Sequence, residues 1–79
     1  MQFYDALYRI AAENGLTFDR LSLKIGYTSS YISSSKSRGS IPKVDSAIKM
    51  VSGCDHAICA IPNGKVPDNA IVIDVPETE

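Results

Sequence analysis

Apolar residues recur at helical spacing through the first two-thirds of the chain, and beyond Gly53 they give way to short β-branched runs. Phe3, Leu7, Ile10 and Ala11 fall at i, i+4, i+7 and i+8, which predicts a helix over residues 2–14 with one buried stripe. Gly15, following Asn14, ends it. Thr17 offers a cap to a second helix, with Asp19 favourably placed in its first turn and Leu21 and Ile25 facing the core. Gly26 supplies a left-handed residue at its end. A third helix is expected from Thr28, with Ile32 inward and Ser30, Ser33, Ser34 and Ser37 forming an outward polar stripe that stops at Gly39. Serine forms helices poorly, so this segment depends on tertiary packing. Pro42 suits the first turn of a fourth helix, whose buried stripe is expected at Val44, Ile48 and Val51, with Gly53 closing it.

Residues 57–61, AICAI, and 70–75, AIVIDV, have the composition of short strands. PNGKVPDN lies between them and is rich in turn formers, so residues 56–75 are expected to form a hairpin with a long loop. The expected fold is therefore mainly α with a small β element, about four helices followed by a C-terminal β-hairpin. Seventy-nine residues allow one domain, 1–79, with a bundle over 2–53. So thin a core makes dimerisation a natural source of further burial.

Composition is that of a soluble globular chain, with 44% hydrophobic and 22% charged residues. No apolar run approaches the ~18 residues of a membrane span. The opening MQFYDALYRI has an acid and no basic region, unlike a signal peptide, and a cytoplasmic location is expected. Cys54 and Cys59 have only His56 near them, too few ligands for a zinc site, and are expected to be small buried side chains. No carboxylate pair accompanies His56 and no phosphate-cradling glycine loop occurs, so neither catalysis nor a cofactor is expected.

Net charge is only −1, but its distribution is uneven. Residues 1–19 sum to −2 and residues 50–79 to −4. Residues 20–49 carry Arg20, Lys24, Lys36, Arg38, Lys43 and Lys49 against Asp45 alone, a sum of +5. Phosphate binding needs such a local patch and not a basic whole. A solvated helical face of mixed charge is the alternative. The seven serines of residues 29–40 could likewise belong to a disordered linker, but Tyr31, Ile32 and Ile41 stand at core-compatible spacings.

Leu21, the small Ser22, Gly26 four residues later and Ile32 six after that, followed by Arg38-Gly39, Pro42 and Ile48, together resemble the Cro/repressor-type (XRE) helix-turn-helix family. The likeness covers residues 2–53. It implies a lambda-repressor-like bundle acting as a dimeric DNA-binding regulator, its third helix in the major groove of a pseudo-palindromic operator. By position, Thr28, Ser29, Ser30, Ser33, Ser34 and Ser37 would meet bases or phosphates, and Tyr31 the sugar-phosphate backbone. Lys36, Arg38 and Lys43 would meet phosphates, as would backbone amides near Thr17 and Phe18. In Cro-like and antitoxin relatives the added strands make the dimer contact, which assigns Ile58, Ile71 and Ile73 to an interface. The hairpin could instead cover the core of one subunit, or act as a wing, which its acidic residues disfavour.

The chain departs from the family pattern at three positions. Phe18 stands where a phosphate-gripping Gln is frequent, Ser29 where Arg or Gln opens the recognition helix, and Ser35 where an apolar residue is common. Serine discriminates bases poorly, so specificity is expected to come from DNA shape and bridging water. The rival expectation is a protein-interaction module, antitoxin-like or phage regulatory, that uses the same scaffold to bind a protein partner.

Overall fold

A computed structural model of the protein describes residues 1–74. Four helices follow one another: α1 at Phe3–Glu13, α2 at Phe18–Lys24, α3 at Tyr31–Ser37 and α4 at Val44–Ser52, with a 3-10 turn at Asn63–Lys65. The described residues contain no strand. Each helix contributes to one core: Leu7, Ile10 and Ala11 from α1, Leu21 from α2, Ile32 from α3, and Met50 and Val51 from α4, with Cys54 just beyond. Phe3, Tyr4, Leu16, Phe18, Ile25, Tyr31 and Ile71 pack around it, half-buried. No helix among the described residues is long and apolar enough to cross a membrane.

All four helices end in one motif, in which a carbonyl near the end of the helix accepts from the amide five residues on. The pairs are Leu16 N–H to Ala11 O at 2.8 Å, Tyr27 to Ser22 at 2.9 Å, Ser40 to Ser35 at 3.1 Å and His56 to Val51 at 3.2 Å. Each requires a left-handed residue just before the donor. Three of these are Gly15, Gly26 and Gly39, but the fourth is Asp55, at φ 56°. Thr17 caps α2 as expected, its Oγ1 accepting from the Arg20 amide at 3.2 Å.

Two helices differ from the sequence expectation. The third begins at Tyr31 and not at Thr28, because residues 25–30 are used in the turn, where the Tyr31 amide donates to the Thr28 carbonyl at 3.1 Å. The fourth begins after Pro42, at Val44, and is rotated. Val44 is 71% and Ile48 46% exposed, while Ala47, Met50 and Val51 are buried. Steric fit sets this rotation. A Cβ on Gly53 would lie 2.7 Å from Leu21 Cδ1 and 2.8 Å from Ile25 Cγ2, so only a bare backbone approaches α2 there. Gly53 itself has right-handed helical geometry, and Asp55 is what turns the chain.

The expected hairpin over 56–75 is not formed within residues 56–74, and Val75 lies outside the described residues. Pro62 and Pro67 each accept the bond of a separate tight turn, from Lys65 at 2.9 Å and Ala70 at 3.1 Å, instead of one loop that folds the two runs together. A two-stranded ribbon with no third strand is marginal in water. Residues 70–74 instead cross to the start of the chain. Ile71 packs on the core and the Asp74 amide donates to the Met1 carbonyl at 2.8 Å. The Asp74 carboxylate pairs with the N-terminal ammonium.

Candidate nucleic-acid interface

One buried hydroxyl joins α3 to α2. Ser22 Oγ donates to the Phe18 carbonyl at 2.7 Å and accepts from the Ile32 amide at 3.2 Å. It thereby satisfies a donor near the start of α3 that no side-chain cap serves, since Ser30 makes no cap bond. Ile32, fully buried, pins the same helix to the core. At the turn, the rings of Tyr27 and Tyr31 stack at 3.9 Å between centroids and 8° between planes. Lys49 Nζ of α4 stands 5.2 Å from the Tyr27 centroid.

Most of the residues expected at a DNA surface are accessible. Thr28, Ser29 and Ser30 are exposed on the turn, Ser33 and Ser34 half-buried along α3, and Ser37, Lys36, Arg38 and Lys43 exposed. Lys36 Nζ lies 5.8 Å from the ring centroid of Phe18 at the start of α2. Arg38 follows α3, its Nη2 3.5 Å from Ser35 Oγ. Tyr31 differs from expectation: it is half-buried against Tyr27 and the core. Ser35, standing where the family is apolar, is itself buried. Beside it the Tyr4 phenol is buried without a hydrogen-bond partner. Burial raises that phenol above the ordinary tyrosine value, and the nearby Ser35 hydroxyl offsets part of the rise.

The basic segment divides between two roles. Lys24 Nζ donates to the Gly53 carbonyl at 2.7 Å, and Lys49 lies over Tyr27, so both are engaged within the bundle. Arg20, Lys36, Arg38 and Lys43 take no part in the two salt bridges among the described residues, Arg9–Glu13 and the N-terminus with Asp74. Composition had shown six cations without showing this division. The Tyr27–Tyr31 spacing of four residues was visible but is interrupted by the turn, and no local pattern announces the second bond of Ser22.

The expected interface residues meet around one cavity. Ile58 and Ile73 are exposed and Ile71 is half-buried, and all three line a cleft of about 540 Å³ between α1 and residues 56–73. A smaller cleft of about 470 Å³, beside Lys36 and the Gly39–Pro42 loop, shares Phe3 and Ile73 with it. The cysteines do not match: Cys54 is fully buried but Cys59 is exposed, because the 57–61 run lies on the surface. Burial pushes the Cys54 thiol up and keeps it protonated. His56 is exposed, its Nδ1 hydrogen-bonded to the Cys54 carbonyl at 2.7 Å.

Compared with family models, curated proteins and solved structures, the chain matches none.

Proposed function

We propose that this chain is a DNA-binding transcriptional regulator, a cytoplasmic dimeric repressor of the Cro/repressor (XRE) type with no catalytic role. In this reading α2 and α3 form a lambda-repressor-like helix-turn-helix and α3 enters the major groove. The observation that carries it is the serine-edged α3, tied to α2 through Ser22 and bordered by Lys36, Arg38 and Lys43, with no carboxylate partner among the described residues. Those cations, with Arg20, neutralise phosphates, while the serine hydroxyls read base edges weakly and leave specificity to groove shape. The tail completes the dimer: residues 57–61 and 70–75 pair as strands across a two-fold axis, burying Ile58 and Ile73.

The test is a fluorescence-anisotropy titration against DNA flanking the chain's own gene at several salt concentrations. Two copies of the four cations set a limiting slope of log K against log salt of about −7. Arg38→Ala with Lys43→Ala should roughly halve that slope. Absence of binding at low salt rules the reading out.

Val44 and Ile48, exposed together on α4 beside the exposed Ile41, favour a second reading. There the scaffold is an antitoxin-like or phage regulatory module, and a protein partner covers that face.

A further inference from the structure

We propose that Lys49, Tyr27 and Tyr31 form a clamp that positions the first turn of α3, and so sets how its serine edge meets DNA. The DNA consequence rests on the function proposed above, whereas the clamp itself does not. The need for one is visible in the backbone. Helix α3 is seven residues long, five of its positions after Ile32 include four serines, and its N-cap residue Ser30 makes no side-chain cap bond. A segment this short does not persist on propensity alone. Ser22 and Ile32 hold it one turn in, and something must fix the residues before them.

The stack supplies that fixing point. Tyr27 is anchored from behind, its amide bonded to the Ser22 carbonyl at 2.9 Å. Its ring lies parallel to that of Tyr31, the first residue of α3, at 3.9 Å. With Tyr31 filling one face at van der Waals distance, the Lys49 ammonium takes the other. Helix α4, which carries Lys49, is in turn held against α2 by the Lys24 bond to the Gly53 carbonyl and by the close approach at Gly53. The turn is therefore gripped from both sides. The same geometry argues against a stacking platform for unpaired bases, because both faces of Tyr27 are occupied and Tyr31 is packed on the core.

The experiment compares Tyr27→Ala, Tyr27→Phe and Lys49→Met. In the free protein, amide exchange in α3 should accelerate roughly tenfold in Tyr27→Ala relative to α1, and return to the original rate in Tyr27→Phe, which keeps the ring. Affinity for DNA should fall about tenfold in Tyr27→Ala, with an unchanged salt slope, because no phosphate contact is lost. Lys49→Met should also leave the slope unchanged. Unaltered α3 exchange in Tyr27→Ala overturns the clamp. A slope reduced by about one in Lys49→Met overturns it too, by making Lys49 a phosphate contact. Fast α3 exchange in Tyr27→Ala, with no DNA binding by the unaltered protein, upholds the clamp and sinks the DNA reading alone.

Discussion

Tyr4 carries a hydroxyl into the bundle that the bundle leaves without a partner. An unpaired buried hydroxyl costs about 1 to 3 kcal/mol, and burial also disfavours its ionised form. The folded-state pKa therefore lies above the ordinary 10.0, so this group's stabilising contribution is whole below that value and is lost as pH rises through the raised pKa. Tyr4→Phe should leave the protein at least as stable at neutral pH, by up to about 1 kcal/mol, and flatten the decline above about pH 10. Urea unfolding at neutral and alkaline pH measures both effects, and a clear loss of stability at neutral pH would show that the hydroxyl has a partner after all. At this scale the sequence announces residue types but not their bonds. Ser22 reads as a small residue that lets two helices approach, yet its two hydrogen bonds appear only once Phe18 and Ile32 are placed around it.

Among the elements, the four helices and their order were legible, since glycine at the ends of the first three and the stripe of α1 are strong local signals. The facing of α4 was not. Hydropathy directs attention to Val44 and Ile48, whereas packing is decided by small residues, Ala47, Gly53 and Cys54, that weigh little in an apolar pattern. The end of α4 was misread for a related reason: Gly53 was taken as the stop, while Asp55 occupies the left-handed position. A non-glycine residue there carries backbone strain. Asp55→Gly should thus stabilise the fold by about 0.5 to 1 kcal/mol, read as a higher Tm in thermal unfolding. An unchanged or lower Tm would mean that the aspartate side chain compensates for its backbone.

For the whole molecule, the basic segment was legible as a sum and illegible as a surface. Lys24 and Lys49 are drawn inward, and the cations left for a partner cluster around α3 and the following loop. The tail was the least legible part. Strand-like composition states a preference for pairing but not the identity of the pairing partner, and residues 56–74 pair with no strand of their own chain. If a second copy supplies that pairing, Ile73→Asp should convert dimer to monomer in sedimentation velocity at matched concentrations, since it places a charge between the two clefts. A dimer that survives the substitution moves the interface elsewhere, with Val44 and Ile48 as the next apolar face.

Gly53 makes three positions answer to one another. The space a methyl group would need at residue 53 is already held by the ends of Leu21 and Ile25. Any larger residue at 53 is thus conditional on a smaller one at 21 or 25, and neither change alone is neutral. Because Leu21 and Ile25 border the turn into α3, sequence drift on the far side of the bundle is constrained by the same volume that seats the reading helix.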